Sequence, residues 1–154
     1  MKIDYVKLIS SVLICQSAGI IGSFFTVSSV STWYVTLHKP FFNPPAWVFG
    51  PVWITLYLLM GISLYLIWNS KKKSKPAMVF FSVQLVLNSL WSILFFGLQN
   101  PLFAGIEIII LWIAILLTIV SFYKISRTAA YLLIPYILWV SFAAVLNFSI
   151  IYLN

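Results

Sequence analysis

Few side chains in this sequence could do chemistry, and their types and spacing exclude most of it. The carboxylates are Asp4 and Glu107, the one imidazole is His38, and the one thiol is Cys15. Acid–base hydrolysis needs two groups flanking one bond, and Asp4 sits at the far terminus from Glu107. There is no metal-ligand spacing, no Ser-His-Asp set and no glycine loop for phosphates, so conventional or metal-assisted hydrolysis finds little support. Cys15 lies inside an apolar run, cannot form an internal disulfide, and reads as a small lipid-buried side chain. Glu107 falls about one turn into another apolar run. A carboxylate inside a membrane is a functional hypothesis by default. The structural alternative is a group hydrated near the outer interface, or protonated and hydrogen-bonded to a neighbouring helix.

More chemistry resides in aromatic and amide side chains. Gln84, Asn88, Trp91 and Phe95 recur at helical spacing and share one face. Tyr136, Trp139, Ala143 and Asn147 repeat the pattern, and so do Trp53, Tyr57, Gly61, Leu64 and Trp68. Amides in lipid must find partners, which turns these faces inward. For any one stripe, helix packing explains the pattern. Three together, with Gly61 and Ala143 leaving room, point to an apolar cavity with a few placed donors, which is how small-molecule sites are built.

The elements that must position these residues are membrane spans. Hydrophobic residues make up 63% of the chain and charged ones 7%, against about 25% charged in a soluble domain. Five runs are long enough to cross the hydrocarbon core: about 6–30, 46–68, 77–97, 102–123 and 129–153. The first is longer than a signal-peptide core and no A-x-A-like site closes it, so it is kept as a span. The expectation is an all-α integral membrane bundle of five transmembrane helices, one domain over 1–154. The net charge of +7 does not indicate nucleic acid, because the basic residues cluster at span ends. Eight of the nine lie on the side of the N-terminus and the second and fourth loops; Lys39 alone lies opposite. The N-terminus is therefore expected in the cytoplasm, with the first loop and C-terminus outside. Lysine- and isoleucine-heavy usage and the lack of a long targeting extension favour a bacterial plasma membrane.

The first loop, "TLHKPFFNPPAWVFGPVW", is the stiffest part of the chain. Prolines 40, 44, 45 and 51 fix φ and bias the residues before them toward extended geometry. A stiff loop loses little entropy on binding, and it is expected to form the lid and one wall of the cavity. Trp33, Tyr34, Phe41, Phe42 and Trp47 offer faces to a flat ring, or anchor the loop at the interface. Lys39 could meet carboxylates at the rim, or snorkel to the surface. His38 is a thin basis for an iron ligand.

"WYVTLHKPFFNPPAWVFGPVWITLYLLMG", "QLVLNSLWSILFFG" and "PYILWVSFAAVLN" resemble the translocator protein family, also called tryptophan-rich sensory proteins and, in animals, peripheral benzodiazepine receptors. The likeness covers essentially the whole chain. It implies a homodimeric membrane receptor for porphyrins such as protoporphyrin IX, and for haem, with isoquinoline and benzodiazepine drugs as further ligands in animal members. It implies no required cofactor, no metal site and no nucleic-acid partner. The ligand contacts it implies are Trp33, Tyr34, Pro45, Ala46, Tyr57, Asn88, Trp91 and Ala143. Light-dependent breakdown of bound protoporphyrin, attributed in bacterial members to a tryptophan pair, would fall to Trp53 and Trp139. The chain ends "SIIYLN" with no basic residue after Tyr152, so it lacks the motif associated with sterol binding in the animal branch. A transporter of porphyrins and a stress-signalling scaffold stay open as alternatives.

Overall fold

The computed structural model describes residues 3–72 and 74–154 and contains six α-helices. They are α1 (Tyr5–Val30), α2 (Ala46–Trp68), α3 (Lys75–Ser92), α4 (Pro101–Tyr123), α5 (Arg127–Tyr131) and α6 (Ile134–Leu153). Four of them start where a short polar side chain precedes an apolar run. Asp4 Oδ1 accepts the Lys7 backbone N–H at 3.1 Å, and Ser74 Oγ accepts that of Ala77 at 3.4 Å. Asn100 Oδ1 accepts the Phe103 N–H at 3.0 Å, and Ser126 Oγ that of Ala129 at 3.3 Å. Each cap satisfies one of the N–H groups that a helix start leaves without a partner.

With α3 continued to Gly97, and α5 taken together with α6, five segments are long and apolar enough to cross a membrane. The chain is an all-α membrane bundle, as its hydropathy indicates. Two segments depart from simple spans. The last apolar run is divided between α5 and α6, with Leu132 and Leu133 in a tight turn where Leu133 N–H donates to Ala130 O at 3.1 Å. Pro135 follows at once; it has no N–H and its ring crowds the carbonyl four residues back. At the end of α3, residues Ile93–Gly97 form a π turn in which Leu98 N–H donates to Ile93 O at 2.8 Å. The Phe96 carbonyl there accepts Ser29 Oγ at 2.6 Å. Gln99, at φ 52°, reverses the chain in the left-handed region before Asn100 and Pro101 start α4.

Lipid gives no hydrophobic drive between helices, so close approach and hydrogen bonds hold the bundle. Gly61 meets α1 so closely that a Cβ there would lie 2.7 Å from Val12 Cα. Its missing side chain makes room for a helix, not for a ligand. Gly19 likewise abuts the Tyr57 ring. Phe81 stacks on Phe122 at 5.6 Å between α3 and α4. Trp112 Nε1 donates to Ser141 Oγ at 2.8 Å between α4 and α6. Ser63 Oγ donates to Ala129 O at 2.7 Å, tying α2 to α5, and Ser89 Oγ reaches Ala18 O at 3.1 Å, tying α3 to α1.

Candidate ligand site beneath the first loop

On the loop side of the Gly19–Tyr57 contact, a cavity of about 470 Å³ lies among α1, α2, the end of α3 and α6. That is within the range of small-molecule pockets, roughly 300–1,000 Å³. Its walls follow from helical periodicity. Ala46, Phe49, Gly50, Trp53, Ile54 and Tyr57 form one face of α2. Trp139, Ala143, Leu146 and Asn147 come from α6, and Trp91, Phe95 and Phe96 from the end of α3. Gly50 fits its place in two ways. A Cβ added there meets nothing within 4 Å. The residue before a proline is also pushed out of the helical region by clash with its own Cβ, which glycine lacks.

The aromatic lining is held in fixed orientations. Trp53 stacks on Tyr57 at 5.5 Å and meets Tyr136 edge-on at 6.3 Å. Trp91 stacks on Phe95 at 5.0 Å, while its Nε1 donates to Asn147 Oδ1 at 3.1 Å. Asn147 is itself anchored by donating Nδ2–H to Pro101 O at 2.8 Å. Trp139 meets Phe49 edge-on at 6.0 Å. Trp53 and Trp139 both line the cavity, and among the described residues neither indole N–H has a hydrogen-bond partner.

Behind the lining runs a polar chain. Tyr57 donates its hydroxyl to Asn88 Oδ1, Asn88 Nδ2 donates to the Tyr136 oxygen at 2.9 Å, and Tyr136 donates to Gln84 Oε1 at 2.9 Å. All four are buried. The amides of α3 therefore serve to fix two tyrosines, one of which lines the cavity. Gln84 Nε2 and both carboxyl oxygens of Glu107 are buried without a hydrogen-bond partner among the described residues. For Glu107 this is neither the hydrated nor the hydrogen-bonded setting expected from its position in the sequence.

The first loop is cross-braced. Tyr34 donates its hydroxyl to Asn43 Oδ1 at 2.9 Å, and its ring packs against Phe95 and Phe96. Burial pushes the Tyr34 phenol above its ordinary range, and the Asn43 bond opposes that only in part. Lys39 Nζ lies 4.7 Å over the outer face of the same ring and donates to Leu37 O at 3.2 Å. Asn154 pairs with the His38 backbone twice, accepting its N–H and donating to its C=O, both at 3.0 Å.

Of the residues singled out from the sequence, Tyr34, Ala46, Trp53, Tyr57, Trp91, Trp139 and Ala143 converge on the cavity. Phe95 and Asn147 of the inward stripes line it too, whereas the other expected ligand contacts lie elsewhere. Asn88 stands behind Tyr57, and Trp33 packs edge-on to Phe95 at 5.6 Å. Pro45 precedes the first turn of α2, and Lys39 lines an outer groove with Phe41 and Tyr152. From the connection between α1 and α2 only Tyr34 reaches the cavity, and the wall expected of the proline-rich stretch is supplied by Ala46, Phe49, Gly50 and Trp53 of α2; Phe41 and Trp47 are exposed. The α1 wall went unread in the sequence. Gln16, Gly19, Ser23 and Thr26 recur at three, four and three residues, the same signal that marked the other faces. Gln16 Nε2 also donates to Ile54 O at 3.1 Å, tying α1 to the Trp53 wall.

Comparison with known proteins adds the lineage. The TspO/MBR family matches residues 11–153. A tryptophan-rich protein TspO of Archaeoglobus fulgidus is 52% identical over 153 residues, covering 98% of this chain and 99% of that one. A protein of the same name from Chlorobaculum tepidum is 44% identical, covering 92% of this chain and 91% of its own. The human translocator protein is 37% identical over 134 residues, 84% of this chain and 79% of the human one.

Proposed function

The chain belongs to the TspO/MBR family, and from that premise we propose that it is a membrane receptor for a flat tetrapyrrole, protoporphyrin IX or haem, held in the cavity beneath the first loop. One observation carries the reading: a 470 Å³ space walled by Trp53, Tyr57, Trp91, Phe95 and Trp139, with two indole N–H groups that have no partner among the described residues. Ring faces suit a planar macrocycle through offset stacking, and these donors suit its polar periphery. The residues present fit the macrocycle and not its metal, since His38 lies on the loop with its backbone tied to Asn154, and no imidazole lines the cavity. Haem would be held by its ring.

In this reading Trp53 and Trp139 also act on the bound ring under light, as electron-rich indoles beside a photo-excited porphyrin. The N-terminus lies in the cytoplasm and two chains pair as a homodimer. Isoquinoline and benzodiazepine compounds, being flat and apolar, would occupy the same space. Titrating protoporphyrin IX into purified protein should quench tryptophan fluorescence saturably. Absence of saturable quenching would overturn the assignment. The name of the human relative, translocator protein, favours a second reading, a carrier of such ligands; flux into proteoliposomes at the rate of binding would select it.

A further inference from the structure

Only two carboxylates exist to balance nine basic side chains. One, Asp4, is engaged with Lys7 at 3.3 Å, and the other, Glu107, is buried within α4. Lys71, Lys72, Lys75, Lys124 and Arg127 are all exposed and none has an acidic partner among the described residues. The fold gathers them at one end of the bundle. Ser63 bonded to Ala129 brings the end of α2 to α5, and Phe81 stacked on Phe122 brings the start of α3 to the end of α4. The Asp4 backbone N–H reaches the Tyr65 hydroxyl at 3.3 Å, adding the start of α1 to the same end.

One of these cations sits where a helix disfavours it. Lys75 opens α3, which has no acid in its first turn. A helix N-terminus already carries partial positive charge, so a cation there adds to the potential instead of cancelling it. The Arg127 guanidinium lies over the Tyr123 ring at 5.4 Å. An end with this much uncompensated charge, at the depth where spans meet head groups, needs anions from outside the chain.

We propose that this basic end is a binding surface for anionic phospholipid head groups, which it retains in preference to zwitterionic ones. The phosphates of phosphatidylglycerol would supply the counter-charge for Lys71, Lys72 and Lys75 from one loop and for Lys124 and Arg127 from the other. Binding of this kind is electrostatic and falls with salt.

The test uses the whole protein in mixed phosphatidylglycerol and phosphatidylcholine vesicles, extracted and counted for retained lipid by native mass spectrometry. The expected result is at least about a tenfold enrichment of phosphatidylglycerol over the bulk ratio, lost at 1 M salt. Replacing Lys71, Lys72, Lys75, Lys124 and Arg127 with Gln should bring the ratio to that of the bulk. Should the multiple variant fail to fold, the salt series on the unaltered protein decides alone. No enrichment, or enrichment that survives salt, overturns the proposal. Displacement of the lipid by millimolar inorganic phosphate would assign the charge to free anions and overturn it equally.

Discussion

The side-chain oxygen of Asn147 accepts the indole N–H of Trp91 at 3.1 Å, so a residue of α6 sets the angle of an aromatic wall contributed by α3. Through its Nδ2–H to Pro101 O, the same amide also holds the start of α4. Asn147→Leu strips two partly buried groups of their partners, each costing at most about 1–3 kcal/mol when left unsatisfied. Thermal unfolding in detergent should show a clear fall in Tm, and protoporphyrin affinity should fall with it. Unchanged Tm would mean that Trp91 is held by packing alone.

Gly50 offers a way to fill the cavity without disturbing the fold. In Gly50→Leu the new side chain enters open space. Helix propensity gained and pre-proline clash introduced oppose one another, leaving stability within about 1 kcal/mol. Protoporphyrin quenching should weaken by about tenfold or more, since even one misplaced methylene in a pocket costs roughly 1–3 kcal/mol. Full affinity in this variant would place the ligand elsewhere.

Trp53→Phe and Trp139→Phe keep a ring against the ligand while removing the indole. Both variants should still bind protoporphyrin within roughly tenfold, because stacking is preserved. Light-dependent bleaching of the bound ring should drop sharply in each and vanish in the double variant. The readout is the absorbance of the complex under illumination, with a dark control. Undiminished bleaching in the double variant removes the indoles from the chemistry.

Glu107 is buried with neither carboxyl oxygen bonded. Glu107→Leu, similar in volume and without polar atoms, should stabilise the bundle by about 1–3 kcal/mol, seen as a raised Tm. Protoporphyrin affinity should not change, because Glu107 is absent from the cavity wall. A fall in Tm would reveal a bonded carboxyl.

The Tyr34 roof carries a pH dependence whose sign follows from its burial. The folded state favours the neutral phenol, so its pKa is raised above the unfolded value. The stabilisation is fully present below that unfolded value, about 10, and is lost as pH rises through the folded one. Protection factors for amide exchange in the loop from Trp33 to Asn43, taken relative to the intrinsic rate at each pH, should therefore hold to about pH 10 and fall above it. Tyr34→Phe should abolish that step; its persistence would assign it to another group.

Much of the bundle was legible in the chain because lipid allows so few answers. A backbone in hydrocarbon must satisfy itself, so five long apolar runs become five helical spans. Asn100 before Pro101 and Ser74 before Lys75 mark helix starts through local chemistry alone. The inward turn of Asn88, Gln84 and Asn147 follows from the cost of an unpaired amide in lipid. These are local or solvent-driven constraints, and they act residue by residue.

What each inward residue meets was decided only by tertiary structure. Gly61 and Gly50 look alike in sequence, yet one is pressed against Val12 and the other borders a void. Asn88 and Asn147 share a residue type and a buried setting, but the first braces Tyr57 from behind while the second faces the cavity and aims Trp91. Lys39 stands alone on its side in the sequence and turns out to be held over Tyr34. Periodicity tells which way a side chain points. Which partner stands there depends on how the helices cross, and that is set by close contacts between residues as distant in sequence as Val12 and Gly61.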